Sequence, residues 1–188
     1  MCDVLLFNKP TPEEWQEMLE YARSFQARGM FCPEGIFKEK EDEDNFLKTP
    51  PQYGIIHCRV PTSGPAKLDK NNHPFVINSK FGRFVGCQTG STNEKALKDL
   101  EIYPRGQCDS EIAIIGVAVK KPLKWFKEFT TGQIFWEHKG NYYTINSSWV
   151  KASGRVAIST SVFGTGEWDC CKINFKGLTK TAVNYNEL

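Results

Sequence analysis

With 188 residues, the chain is long enough to bury a full hydrophobic core as one domain, residues 1–188. A formal net charge of +2 argues against a nucleic-acid binder that works through a basic field. No apolar run reaches the ~18–20 residues of a membrane helix, and no charged-then-apolar leader opens the chain. A cytoplasmic protein with neither a membrane nor a nucleic-acid partner is therefore expected. The stretch Cys2 to Phe7 reads as a short, largely buried strand. A helix follows, with Thr11 as N-cap, Pro12 at its first position and Glu14 closing a capping box. Trp15, Met18, Leu19, Ala22 and Phe25 recur at helical spacing, and Gly29 is the expected stop. The mixed-charge run from Lys38 to Asn45 reads as a solvated, mobile loop.

Tyr53 to Val60 reads as a strand, broken by Pro61-Thr62-Ser63-Gly64-Pro65. Phe75 to Asn78 and Arg83 to Gln88 form an expected hairpin around Lys80-Phe81-Gly82. Ser91 to Glu94 has the pattern of a second capping box, opening a short helix through Leu100. Ile112 to Val119 is open between strand and helix: its β-branched residues favour the first, the Asp109-Ser110-Glu111 entry and Pro122 stop the second. From Phe126 onward the pattern is strand-rich. Gln133–His138 and Tyr142–Asn146 flank a Lys139-Gly140-Asn141 turn, and further strands are expected at Arg155–Thr160, Asp169–Phe175 and Thr181–Tyr185. Helices set between many antiparallel strands define an α+β domain.

Seven cysteines, an odd number with no Cys-x-x-Cys pair, indicate neither a disulfide framework nor a zinc knuckle. His57, His73 and His138 are too scattered in sequence to make up a metal site. No metal or other cofactor is expected. Cys2 alone carries a chemical argument. Removal of Met1, efficient before a small side chain, would leave a thiol and a free α-amine on one residue. The amine titrates near pH ~7.7–8.0, so it can serve as the base for a thiolate nucleophile.

The stretch His57-Cys58-Arg59-Val60-Pro61-Thr62-Ser63-Gly64 resembles the Gly-His-x-Arg-[Trp/Tyr]-[Ala/Ser]-Thr-x-Gly signature of class II glutamine amidotransferases. Asn72-His73-Pro74-Phe75 is similar to that family's Asn-Ala-His-Pro-Phe segment, and Cys108-Asp109-Ser110-Glu111 to its Ser-Asp-Ser-Glu segment. Arg28-Gly29 with Gly35-Ile36 resembles the glycine turn after the family's first helix. The motifs run in order from Cys2 to Glu111.

The resemblance implies the four-layer αββα sandwich of N-terminal nucleophile hydrolases, with two stacked, mainly antiparallel sheets. It implies that Cys2 attacks the side-chain amide of glutamine, giving a γ-glutamyl thioester and ammonia, and that water then releases glutamate. Arg59 would grip the substrate α-carboxylate through its planar fork, with Thr62 assisting, and Asp109 would hold the ammonium group. An aspartate ahead of a helix is also a common N-cap. His73 would fix local backbone without reacting.

The family's oxyanion hole is an Asn side chain and the next Gly N–H. Here Cys87-Gln88-Thr89-Gly90 stands in that place, so Gly90 keeps its role and Thr89, or Gln88 if the register slips by one, would replace the Asn. Val60 and Ser63 also depart from the family pattern. The resemblance implies glutamine as ligand and, for use of the ammonia, a separate synthase subunit. Two alternatives stand beside it: hydrolysis of another γ-glutamyl or small amide compound, and a degenerate domain that binds glutamine or a protein partner without turnover.

Overall fold

β1 (Asp3–Asn8) is apolar on both of its faces, and the rest of the fold is arranged around that fact. Val4 and Leu6 point into one core, while Leu5 and Phe7 point into another, as the two-residue period of a strand requires. A strand of this kind needs a layer on each side. The computed structural model describes residues 1–160 and 164–188.

After β1 come α1 (Pro12–Arg23), β2 (Ala27–Cys32), β3 (Gly35–Lys40), β4 (Tyr53–Arg59), β5 (Phe75–Ser79) and β6 (Gly82–Gln88). Two helices follow, α2 (Ser110–Ala118) and α3 (Leu123–Phe129), then β7 (Ile134–His138) and β8 (Asn141–Ile145). The chain closes with β9 (Val150–Lys151), β10 (Val156–Thr160), β11 (Cys170–Asn174) and β12 (Thr179–Ala182). The architecture is α+β, with two stacked six-stranded sheets. The first has the order β3-β2-β4-β1-β10-β9 and the second β12-β11-β8-β7-β6-β5, antiparallel throughout.

Val4, Leu6, Phe31, Ile55, Phe135 and Ile173 fill the space between the sheets. Trp15, Met18, Leu19 and Ala22 of α1 cover the outer face of the first sheet against Leu5, Phe7 and Ile56. Ile112 and Ile115 of α2, with Trp125 and Phe126 of α3, cover the outer face of the second sheet. Among the described residues, no helix is long and apolar enough to cross a membrane.

The expected capping box of α1 is present: Thr11 Oγ1 accepts from the Glu14 N–H at 3.1 Å, and the Thr11 N–H donates to Glu14 Oε1 at 3.1 Å. The helix ends at Arg23, ahead of the expected stop, and Gly29 lies inside β2. Gly29 is there for a different reason. A Cβ at that position would sit 1.8 Å from the His73 carbonyl oxygen, so only a glycine lets the two backbones approach. The run from Lys38 to Asn45 is likewise not a free loop throughout. Its first residues end β3, and Glu39 is fully buried. Its carboxylate accepts from Arg28 Nε at 3.0 Å and from the backbone N–H groups of Asn45 and Phe46 at 2.9 and 2.7 Å. A buried charge met by this many donors is tolerated, and it pins the segment down.

The helix expected from Ser91 is a 3-10 helix at Glu94–Asp99, capped by Asn93, which accepts from the Lys95 N–H at 3.0 Å. The open segment at 112–119 is helical. Every residue of α2 is buried, so its apolar positions show no helical period to read. α3 and the two-residue β9 fall where only strands or loops were expected. The C-terminal strand comes two residues earlier than its pattern suggests, at Thr179–Ala182.

Gly29→Ala should destabilise the fold by at least about 1–3 kcal/mol, because the added methyl meets backbone and not a movable side chain. Gly154→Ala, with nothing within 4 Å of its new Cβ, should stay within about 0.5 kcal/mol of wild type. Urea midpoints measure both; an unchanged G29A midpoint would show that β2 and the 72–74 loop can separate freely.

Candidate functional site

The register brings the motif segments to one end of both sheets. Asp3, at the start of β1, pairs with Cys58 on one side and Thr160 on the other, so Cys2 emerges beside the ends of β4 and β10. Its sulfur lies 3.4 Å from the Val60 N–H, which donates to it, and 3.5 Å from the Val60 carbonyl oxygen. Burial pushes the Cys2 thiol pKa up, while the Val60 hydrogen bond, the terminal ammonium and the Arg59 guanidinium pull it down. Met1 is 63% exposed, so its loss would remove nothing from the core.

Arg59 is buried directly before Val60. Its guanidinium donates from Nη1 to Asn72 Oδ1 at 2.7 Å and from Nη2 to the carbonyls of Ser63 and Gly64 at 2.6 and 2.8 Å. The 60–66 loop therefore wraps around the charge, and the remaining donors are Nε and one hydrogen of Nη1. Asn72 completes the ring by donating to the Ala66 carbonyl at 2.8 Å. Thr62 is exposed, and among the described residues no hydrogen bond joins it to Arg59.

Asp109 occupies the position before α2 but makes no capping bond. One carboxylate oxygen accepts from Ser63 Oγ at 2.5 Å and the other from the Thr92 N–H at 2.6 Å. Arg59 and Asp109 thus share the 60–66 loop: the arginine holds the Ser63 carbonyl, the aspartate its hydroxyl. Ser63, which departs from the family pattern, is the link between them. Glu111 ends the same motif fully inside the protein, accepting from the N–H groups of Arg105 and Gly106 at 3.0 and 3.1 Å.

His57 and His73, far apart in sequence, stack with ring centroids 3.7 Å apart. His57 Nε2 donates to the Gln88 carbonyl at 2.9 Å, while His73 Nδ1 accepts from the Gln88 N–H at 3.3 Å. That assignment leaves His57 Nδ1 without a partner among the described residues. Burial pushes His57 down to about 3 and His73 well below its ordinary value, so both rings are neutral at pH 7.

The stretch from Gln88 to Gly90 is tightly braced. Gln88 spends both amide hydrogens on the carbonyls of Ser91 and Thr131, at 2.9 and 2.8 Å, and its oxygen accepts from Thr92 Oγ1 at 3.0 Å. Its carboxamide holds the 88–92 turn together and cannot swing outward without breaking those bonds. The Thr89 N–H donates to the Gln133 carbonyl at 3.0 Å and Thr89 Oγ1 accepts from the Gln133 N–H at 3.1 Å; its hydroxyl hydrogen has no acceptor among the described residues. Gly90 packs against the 131–132 backbone so closely that a Cβ would lie 2.0 Å from the Thr131 carbonyl oxygen.

Gln133 carried no sequence signal, yet it connects the two halves of the site. Its fully buried side chain reaches the Thr160 carbonyl beside β1, and its Oε1 accepts from the Ser148 N–H at 3.1 Å. All seven cysteines are free thiols, and only Cys2 and Cys171 are not buried. Comparison with protein-family models and with curated proteins finds no match for the chain.

The neutral histidines set a pH dependence. Below an ordinary imidazole pKa of about 6.5 the unfolded chain takes up protons that folded His57 and His73 refuse. Stability should therefore fall as pH drops from about 6.5 toward 3, by up to about 1.4 kcal/mol per pH unit for each ring. His57→Gln, which keeps a donor toward Gln88, should flatten the slope measured by urea unfolding between pH 6.5 and 5. An equal slope would show that His57 is not the group responsible.

Proposed function

We propose that the chain is a glutamine amidohydrolase of the class II, N-terminal nucleophile type, with the four-layer αββα sandwich of that group. The observation that carries this reading is the meeting of three motif segments at one end of the sheets. The Cys2 sulfur is hydrogen-bonded to the residue after Arg59, and Arg59 and Asp109 are joined through Ser63. A cation and a carboxylate held by one loop, with a thiol hydrogen-bonded at that loop's first residue, suit a free amino acid gripped by both charged ends.

In the proposed mechanism the chain begins at Cys2. The α-amine takes the thiol proton, and the sulfur attacks the glutamine side-chain carbon. The tetrahedral intermediate collapses with the proton passed to the leaving nitrogen, giving ammonia and a γ-glutamyl thioester. Water activated by the same amine then breaks the C–S bond and releases glutamate. Both site histidines are neutral and turned toward the Gln88 backbone, which leaves the α-amine as the base. Developing negative charge on the substrate oxygen would meet the Gly90 N–H and the Thr89 hydroxyl, the donor that Gln88 cannot supply. Use of the ammonia in synthesis would require a separate acceptor subunit.

A second reading, a glutamine-binding domain without turnover, draws on the oxyanion stretch: a Thr hydroxyl has a shorter reach than the Asn carboxamide it replaces.

Cys2→Ala should abolish glutamate release from glutamine while leaving near-UV circular dichroism unchanged. A mutant that keeps its activity refutes the nucleophile, and wild-type protein lacking Met1 that binds but never hydrolyses glutamine selects the second reading. Turnover of γ-glutamyl peptides but not of glutamine would redirect the substrate. Arg59→Lys should raise KM for glutamine at least about tenfold, because a point charge cannot form the paired hydrogen bonds of the guanidinium. An unchanged KM would remove Arg59 as the carboxylate anchor.

A further inference from the structure

The opposite end of the two sheets holds a second concave region, unconnected with Cys2. There the chain leaving β1, the start of β4, the β7–β8 turn and the end of β11 come together. Two cavities share Tyr53, Gly140 and Tyr142 as a common wall. The larger has a volume of about 580 Å³ and the smaller about 320 Å³. Small-molecule clefts run from about 300 to 1,000 Å³.

The wall is aromatic. Tyr53 lies 4.8 Å from Phe175 between ring centroids, Phe175 lies 5.0 Å from Tyr142, and Tyr142 stacks on Phe31 at 5.9 Å. Phe175 and Tyr142 are buried, whereas Tyr53 is only half-buried and faces both cavities. The rim of the larger cavity is cationic, carrying Lys9, Lys172 and Lys176. Among the described residues, no carboxylate lines that cavity, and none forms an ion pair with these lysines.

Lys9 adds an independent sign. Its φ is +48°, the left-handed region that favours Gly or Asn, and its N–H is tied to the Gln52 carbonyl. Conformations of this kind in residues other than glycine cost free energy and gather at ligand sites. Here the strained residue is a lysine at the edge of a cleft.

An aromatic platform beside a one-signed cationic rim fits a ligand with a flat π-face at one end and an anion at the other. We infer that this cleft binds a nucleoside 5′-phosphate, its base against Tyr53 and its phosphate among Lys9, Lys172 and Lys176. Three cations suit a phosphate better than a single carboxylate, and Tyr53 offers a face that a bare inorganic anion would not use. The net charge of only +2 speaks against an extended polynucleotide as the occupant.

The test is isothermal titration of the wild-type protein with AMP, GMP, CMP and UMP, with ribose 5-phosphate and inorganic phosphate as comparison ligands. At least one nucleotide should bind, about tenfold or more tightly than ribose 5-phosphate, the difference coming from base stacking. The double variant K172E/K176E changes two exposed side chains, and it should weaken that binding at least about tenfold while keeping the wild-type melting temperature. Three results would overturn the inference: no binding of any of the four nucleotides at about 5 mM, a millimolar limit well above useful affinity; ribose 5-phosphate or inorganic phosphate binding as tightly as the nucleotide; or nucleotide binding undiminished in K172E/K176E. Much tighter binding of a thymidine oligonucleotide than of any mononucleotide would replace the inferred ligand with a single strand.

Discussion

The backbone of one residue, Gln88, is held at both its carbonyl and its N–H by imidazoles. His57 donates a hydrogen bond to its carbonyl and His73 accepts one from its N–H, while the two rings stack on each other. His57 belongs to the first sheet and Gln88 to the second, so this clamp fixes how the sheets meet at the Cys2 end. It works only with neutral rings, since a protonated His73 would have no lone pair left for the N–H. Burial provides that neutrality. The site rests on the clamp: Thr89 and Gly90 follow Gln88 directly, and Asn72 precedes His73 and receives the guanidinium of Arg59.

Charge placement in the site follows the same economy. Arg59 is buried, and an unpaired buried cation would be costly, so the 60–66 loop supplies carbonyls and Asn72 an amide oxygen. Among the described residues, no carboxylate is one of its hydrogen-bond acceptors. Asp109 is held by a hydroxyl and a backbone N–H instead of a cation, so its charge remains as well. Two opposite charges are thus held apart by contacts to one loop, Arg59 at the Ser63 and Gly64 carbonyls and Asp109 at the Ser63 hydroxyl.

Local features were the most legible in the sequence. The α1 capping box and the β5–β6 and β7–β8 hairpins depend on near neighbours, and each lies where its pattern indicates. What escaped depends on contacts across the fold. Gly29 resembles a helix terminator, but its lack of a side chain serves the His73 carbonyl, more than forty positions away. The charges from Lys38 onward look like a solvated run because the partners of Glu39 lie on β2 and on the chain after β3. α2 hid its helical character by being buried all round. In the candidate site, the segments of Cys2, Arg59 and Asp109, singled out by short motifs, are brought to the same end of the sheets. Gln133 was not, because a lone glutamine in a strand-rich stretch has no pattern of its own. The stacking of His57 on His73 was hidden by the fifteen residues between them.

Among the described residues, each sheet leaves two strands with an unpaired side: β3 and β9 in the first, β5 and β12 in the second. Such borders invite pairing with other chains, and all four carry something that discourages it. β9 has only two residues, β3 ends in Lys38, Glu39 and Lys40, and β12 presents Lys180 on an exposed ribbon. On β5 the side chain of Arg105 already occupies the Val76 carbonyl, at 2.9 Å. In a protein whose regular structure is mainly sheet, these features oppose growth into fibres, and substitutions that strip charge from those borders would weaken that protection without touching anything near Cys2.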